Sequence, residues 1–161
     1  MTQIKNKITL SLILLFSIFA IVIAYFIQYV LGHQPCNLCL IERIPYIFSI
    51  IIILNCLLFN KFEKITLIIL SLIFFTATLL SSYHFGIEQG IIKESIVCDL
   101  NGSINELSKE AILNQLKKVV ISCKDVTFKI FGLSLATFNI FISLMLCAIT
   151  MKISLTYEKN K

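Results

Sequence analysis

Four long runs without a charged residue divide the sequence and limit what it can fold into. They cover residues 8–31, 44–60, 65–83 and 130–151. A helix of about 20 apolar residues crosses the ~30 Å hydrocarbon core of a bilayer. The second run reaches that length if residues 40–43 form its first helical turn, where Pro45 would be tolerated. Because 58 % of the residues are hydrophobic and 14 % charged, we expect lipid to be the solvent for much of the surface.

These runs predict an all-α membrane protein, a four-transmembrane-helix bundle in which residues 1–161 form a single integral membrane domain. The first run is too long for the apolar region of a secretory signal, which has about 7–15 residues before a small-residue cleavage site. We therefore expect a retained first helix. The expected spans are about 8–31, 41–60, 65–84 and 130–151, with outer loops at about 32–40 and 85–129.

The distribution of lysine and arginine predicts the orientation. Short cytoplasmic loops carry an excess of these residues. Lysines lie near both termini and in the 60–64 turn, whereas the short loop on the other side has only Arg43. The termini are therefore expected in the cytoplasm and both outer loops in an oxidising space. The formal charge of +5 forms no basic stripe of the kind that binds nucleic acid.

The 85–129 loop has a different composition from the rest of the chain. It carries six acidic and six basic residues, and it contains Cys98 and Cys123. Residues 103–106, Ser-Ile-Asn-Glu, have the form of a helix capping box, and apolar residues follow at helical spacing. A short amphipathic helix is therefore predicted within this long extracytoplasmic loop. It would lie in the membrane interface or cover a small core of the loop.

Six cysteines need separate interpretation. Cys56 and Cys147 fall inside predicted spans and are expected to be small buried apolar side chains. The other four leave three interpretations open, and the first is a structural zinc site. The second is a pair of inert disulfides. A Cys98–Cys123 bridge would stabilise the loop by roughly 3–4 kcal/mol, whereas the short Cys36–Cys39 ring removes little chain entropy. The third is two redox pairs that exchange electrons.

Arg43 favours the redox interpretation. On a helix that starts near Cys39, positions 39 and 43 share a face. A permanent cation one turn away favours the thiolate over the thiol, and it could also stabilise negative charge on an electron acceptor. Glu42 lies beside Arg43. His84 ends the third predicted span on the same outer face, where a histidine taken alone is more often interfacial than a ligand or proton carrier.

The motifs that carry these residues resemble the DsbB family of disulfide-bond formation proteins. They occur in the family's order, and the CxxC precedes the loop cysteines, unlike the order in VKOR-type reductases. The chain departs from the family in having no tryptophan, and Phe128 and Phe131 are expected to pack in its place. The matching segments are residues 34–43 (QPCNLCLIER), 83–90 (YHFGIEQG), Cys98, Cys123 and 131–134 (FGLS).

The resemblance implies a protein-dithiol:quinone oxidoreductase in a bacterial cytoplasmic (inner) membrane. Electrons would pass from a DsbA-type thioredoxin-like partner through Cys98/Cys123 and then Cys36/Cys39 to ubiquinone or menaquinone. The partner would attack Cys98, and Cys39 would donate to the quinone. The residues expected to bind the quinone are Arg43, His84 and Glu42, and no metal is expected. The alternative is a non-catalytic cysteine-rich membrane scaffold or zinc-binding subunit.

Overall fold

The computed structural model describes residues 2–59, 63–93, 98, 123–124, 129–130 and 132–159. Four helices in these ranges are long and apolar enough to cross a membrane, which confirms the predicted four-helix membrane fold. The predicted amphipathic helix, Phe128 and Phe131 lie outside the described residues. The elements are α1 (Thr2–Tyr29), α2 (Asn37–Ile41), α3 (Ile44–Phe59), α4 (Glu63–Glu88), β1 (Lys129–Ile130), β2 (Leu133–Ser134) and α5 (Leu135–Lys159).

The bundle is held by two helix pairs. Helix α4 packs along α5, α1 packs on α3, and α3 also contacts α4. Leu10, Ile53, Leu67 and Phe74 form part of the buried core where these helices meet. Many large apolar side chains on the outer faces remain exposed, as expected for a surface in lipid. Helices α1 and α5 touch little, so a gap remains between them.

The second span, Asn37–Phe59, includes residues 40–43 as predicted, but its helix is interrupted by a turn between Ile41 and Ile44. Pro45 has no backbone N–H and cannot donate to the carbonyl group of Ile41. The chain turns at Glu42 and Arg43 before α3 begins. Glu42 becomes buried while Arg43 stays partly exposed. The interruption thus directs the two neighbouring charged side chains to different environments.

Helix α4 continues past His84, where the predicted span ended, to Glu88. Gly90 then adopts a φ of +71°, a conformation that glycine reaches without steric cost. The amide groups of Ile91 and Ile92 donate back to the Gly86 carbonyl at 3.0 and 3.1 Å, which closes the helix as in other glycine-terminated helices. Gly86 also leaves room for Ile92, because a Cβ atom there would lie 2.6 Å from Ile92 Cδ1.

Helix α5 begins at Leu135, later than the expected start at 130. The preceding residues form a short antiparallel hairpin in which Lys129 pairs with Ser134. Ser134 Oγ then accepts a hydrogen bond from the Thr137 amide at 3.3 Å, which is the usual role of a serine at the N-cap. The hairpin carries the chain back to the end of the bundle that holds Cys36 and Cys39, called the cysteine end below.

Candidate functional site

The Cys36–Cys39 pair lies at the start of α2. Cys36 is the N-cap residue, and its sulfur accepts a hydrogen bond from the Cys39 amide at 3.3 Å. In most helices an oxygen of serine, threonine or aspartate takes this position. The two sulfur atoms are 2.8 Å apart, and both cysteines are free thiols in this structure. Since a disulfide bond measures about 2.05 Å, the pair can close with a movement of less than ~1 Å.

Cys98 and Cys123 form a disulfide with their Cα atoms 5.7 Å apart. Both are buried, and they pack in one apolar cluster with Cys36, Leu38 and Ile87. The structure therefore brings together the four cysteines that the sequence analysis selected. The other two lie elsewhere, with Cys56 and Cys147 buried in the core between the helices.

His84 connects the cysteine pair to a carboxylate. Its Nε2 lies 3.5 Å from the Cys36 sulfur, and its Nδ1 lies 2.9 Å from Glu42 Oε1. Only 3 % of the His84 surface is exposed. A nucleophile, a base and a group that orients the base form the usual arrangement for activating a thiol. His84 and Glu42, both expected at a quinone, are thus placed against the thiol pair.

The surroundings of Cys36 favour its thiolate. The hydrogen bond from the Cys39 thiol lowers the pKa of Cys36 most, and the contact with His84 lowers it further. Burial acts in the opposite direction, but the combined effect sets the pKa at about 4. Cys36 is therefore the sulfur that carries negative charge in the reduced pair at neutral pH.

Asn139 completes the polar group around Glu42, although it was not among the predicted site residues. Its Nδ2 donates to Glu42 Oε2 at 3.0 Å and to Ser81 Oγ at 2.7 Å, and its Oδ1 accepts from the Tyr46 hydroxyl. An amide within a charge-free span was the available signal, because polar groups are costly in lipid unless they have partners. Asn139 ties α5 to α3 and α4 at the level of the site.

Arg43 lies at the same cavity but points towards α1. Its Nη1 donates to Gln28 Oε1 at 2.7 Å, and its guanidinium group lies 5.1 Å from the centre of the Tyr25 ring. Arg43 and Cys39 both line this cavity, but the guanidinium group contacts Gln28 and Tyr25. Instead, His84 is the basic side chain hydrogen-bonded to a thiol of the pair.

Glu88 is a second carboxylate at the site, one helical turn after His84. Its Oε1 lies 3.7 Å from His84 Nε2, and its side chain is 7 % exposed. Among the described residues, its Oε2 has no hydrogen-bond partner. The sequence motif at 83–90 contained Glu88, but nothing in the spacing showed that its side chain would turn inwards.

A cavity of about 390 Å³ lies between α1 and α5 at the cysteine end. Aliphatic and aromatic side chains form most of its wall, and polar groups are grouped near the cysteines. Such a cavity suits an elongated apolar molecule with a polar head. Its polar lining includes Gln28, Cys36, Cys39, Glu42, Arg43, His84, Glu88 and Asn139, and its apolar lining includes Phe16, Phe19, Ile23, Ile27, Leu135 and Phe138.

Comparisons with known proteins agree with this architecture. The family model for "Disulfide bond formation protein DsbB" matches residues 6–153. The uncharacterized protein RP370 of Rickettsia prowazekii (strain Madrid E) is 31 % identical over 161 residues, which cover 97 % of this chain and 91 % of that protein. No solved structure matches the chain significantly. Because the family match extends from α1 into α5 and includes all four cysteines of the site, the chain belongs to the DsbB family of disulfide bond formation proteins.

Proposed function

We propose that the protein reoxidises a DsbA-type thioredoxin-like dithiol partner and passes the electrons to a membrane quinone, ubiquinone or menaquinone. One observation carries this proposal. The Cys98–Cys123 disulfide packs against the Cys36–Cys39 pair, which lies at the polar end of a cavity between two membrane helices. This arrangement supports electron transfer from the loop pair to Cys36 and Cys39 and then to a lipid-soluble acceptor in the cavity.

Two disulfide exchanges account for the protein steps. A thiolate of the partner attacks the Cys98–Cys123 bond, with Cys98 the expected target. This forms a mixed disulfide and releases the Cys123 thiolate. The partner's second thiolate resolves the mixed disulfide, so that the partner leaves oxidised and the loop pair is reduced. A loop thiolate then attacks the oxidised Cys36–Cys39 bond, and the second loop thiol closes the loop disulfide again. Two electrons now reside in the Cys36/Cys39 dithiol.

The residues around the dithiol suit its reoxidation. His84 can take the Cys36 proton at Nε2, and Glu42 orients the ring from the opposite nitrogen. The apolar wall of the cavity fits an isoprenoid chain, and Arg43 and His84 supply polar contacts for a quinone head. When bound, a quinone supplies an acceptor for two electrons and two protons. Cys39, the more C-terminal thiol of the pair, would donate to it after its proton passes to the Cys36 sulfur 2.8 Å away.

The proposed location is a bacterial cytoplasmic membrane, with both termini in the cytoplasm. The lysines near the termini and in the 60–64 turn support this orientation through the positive-inside rule. The cysteine end would then face the periplasm, where disulfides persist.

A zinc-binding scaffold built on all four cysteines receives less support. A structural site of this kind needs four thiolate or imidazole ligands. In the structure Cys98 and Cys123 are bonded to each other, so their sulfur atoms are not thiolates. The oxidised loop pair therefore favours redox exchange over a four-cysteine zinc site.

Turnover with purified components tests the proposal. The full-length protein in detergent is mixed with a reduced thioredoxin-like protein and a short-chain quinone, and quinone absorbance is followed. Serine at Cys36, Cys39, Cys98 or Cys123 should abolish quinone reduction. Serine at Cys56 or Cys147, which lie in the core, should leave it intact. Quinone reduction at the wild-type rate by Cys36→Ser would contradict the redox function.

A further inference from the structure

The reduced cysteine pair and His84 also form a set of metal ligands. We propose that Zn²⁺, or another divalent ion that prefers sulfur and nitrogen ligands, binds Cys36, Cys39 and His84 only when the pair is reduced, and thereby blocks its reoxidation. The site would be inhibitory rather than structural, because the same sulfur atoms must form a disulfide during turnover. This inference goes beyond the proposed function.

The ligand atoms already converge. The two cysteine sulfurs and a nitrogen of His84 all lie within 4.8 Å of one another. Thiolate and imidazole are the common zinc ligands, and two cysteines separated by two residues are a frequent element of zinc sites. The third ligand comes from a different helix, α4, so the arrangement depends on the tertiary fold as well as on the CxxC sequence.

The distances require one small adjustment. Tetrahedral zinc with bonds of about 2.3 Å to sulfur and 2.0 Å to nitrogen places a sulfur and a nitrogen ligand roughly 3.5 Å apart. Cys36 Sγ and His84 Nε2 are 3.5 Å apart in the structure. The two sulfur atoms, 2.8 Å apart, would have to separate by about 1 Å. Cys39 can make this movement by a change of rotamer, because its surroundings are only partly buried.

The atoms behind His84 resemble the support of a metal-bound histidine. Such a histidine usually donates its second ring N–H to a carboxylate or carbonyl group, which fixes the tautomer and the ring orientation. Here Glu42 Oε1 lies 2.9 Å from His84 Nδ1, and Asn139 in turn donates to Glu42 Oε2. Nε2 thereby faces the two sulfurs, and its electron pair becomes available to the metal when binding releases the proton held there.

Glu88 can complete the coordination. Its side chain is 7 % exposed, and Oε1 lies 3.7 Å from His84 Nε2. Its Oε2 is buried with no hydrogen-bond partner among the described residues, although an unpaired buried polar atom is costly. Glu88 lines the same cavity as Cys36 and Cys39. Glu88 lies outside the group whose ligand atoms are all within 4.8 Å of one another, so its carboxylate would supply the fourth ligand after a change of rotamer.

The redox state of the pair decides whether the site exists. Zinc binds thiolates, and its binding releases the thiol protons without moving electrons. A disulfide offers no thiolate, so the oxidised pair has only His84 and Glu88. Zinc bound to the dithiol would leave neither sulfur free to form the bond, and reoxidation would stop until the ion is removed.

Zinc binding is measured on the full-length protein in detergent, in a Cys98→Ser/Cys123→Ser background that removes the loop thiols. A chromophoric chelator competes for Zn²⁺ after reduction with a phosphine, which is then removed. One ion per reduced protein and none per oxidised protein is expected. Cys36→Ser should abolish stoichiometric binding, and Glu42→Gln, which keeps the ligands, should weaken it about 10- to 100-fold. Cys147→Ser is the matched control and should bind as the background does.

Equal zinc binding by the oxidised and reduced proteins would overturn the proposal, as would unchanged affinity in Cys36→Ser. In the protein with all its cysteines, Zn²⁺ should also stop quinone reduction, and a chelator should restore it. The two proposals fail separately. Absent zinc binding with normal turnover removes only the metal site, whereas zinc binding by a protein that never reduces quinone removes only the redox function.

Discussion

His84 and Glu42 share the contact that fixes the geometry of the site. His84 Nδ1 lies 2.9 Å from Glu42 Oε1, and the other ring nitrogen faces the Cys36 sulfur at 3.5 Å. Glu42 is in this position because the chain turns between α2, which ends at Ile41, and α3, which begins at Ile44. Pro45 favours this turn because it has no backbone N–H to donate to the Ile41 carbonyl group. The thiol chemistry at α2 thus depends on a helix break that follows it.

Replacing Glu42 by glutamine should weaken the effect of His84 on Cys36. Glutamine keeps the shape and an acceptor oxygen but removes the negative charge. A hydrogen bond to a charged group contributes roughly 1.5–3 kcal/mol, so we expect the pKa of Cys36 to rise by about one unit, while the thiolate still predominates at neutral pH. Thiolate absorbance of the reduced protein, followed as the pH is lowered, measures this rise. Glu63→Gln, at the opposite end of α4, is the control and should leave the pKa of Cys36 unchanged.

The reactivity of Cys36 should depend little on pH in the physiological range. Its pKa is lowered to about 4, so the thiolate persists above that value and is lost as the pH falls through it. Alkylation of Cys36, followed by mass spectrometry, should proceed at a similar rate from pH 5 to pH 8. In His84→Ala the midpoint should move upwards, because one cause of the lowered pKa is absent. A wild-type rate that rises about tenfold per pH unit between 6 and 8, as for an ordinary thiol, would exclude the assigned thiolate.

The number of membrane helices could be predicted from the sequence because charge itself is excluded from lipid. Each charge-free run had to become a span, and the CxxC between the first two had to lie at the end of the bundle. The same reasoning placed His84 near that end, since the third run stops there. These inferences need only the position of a residue along a helix, which the sequence supplies.

The direction of each side chain could not be predicted in the same way. It depends on how the helices rotate against one another and on local breaks. Arg43 was expected beside Cys39, but its guanidinium group contacts Gln28 and Tyr25 on α1. Asn139 and Glu88 were not predicted as site residues, because their side chains meet Glu42 and His84 only when α4 and α5 pack against the α2–α3 turn. Several faces of an apolar helix look equivalent in sequence until a partner helix is known.

Arg43 should act on the quinone step more than on thiol exchange. Its guanidinium group lines the cavity and is held by Gln28 and Tyr25 on α1. Arg43→Ala removes both the charge and these contacts, and the KM for quinone should rise about tenfold or more. Exchange between the partner and the Cys98–Cys123 pair, measured without quinone by thiol trapping, should be nearly unchanged. Equal losses in both steps would contradict the role assigned to Arg43.

Arg43→Lys separates charge from geometry. Lysine keeps the positive charge but cannot reproduce the planar contact over the Tyr25 ring together with the bond to Gln28. If quinone binding needs this fixed geometry, Arg43→Lys should raise the KM for quinone about as much as Arg43→Ala does. Lys152→Gln, which removes a charge from α5 beyond the site, is the control and should leave the KM for quinone unchanged.

Asn139 offers a test of how much the buried polar group contributes to stability. Asn139→Leu leaves Glu42 Oε2, Ser81 Oγ and the Tyr46 hydroxyl without their shared partner. Single hydrogen bonds between membrane helices contribute only about 0.6 kcal/mol on average, but an unpaired buried carboxylate oxygen costs roughly 1–3 kcal/mol. We therefore expect the free energy of unfolding to fall by about 2 kcal/mol, measured by titration with a denaturing detergent.

Asn55→Leu is the matched control, since Asn55 is exposed on α3 and donates to the Ile51 carbonyl of its own helix. That variant should be close to neutral, because leucine there faces lipid and no residue on another helix loses a partner. Equal destabilisation by the two variants would mean that Asn139 contributes only as a polar residue in a span and does not hold α5 against the Glu42 turn.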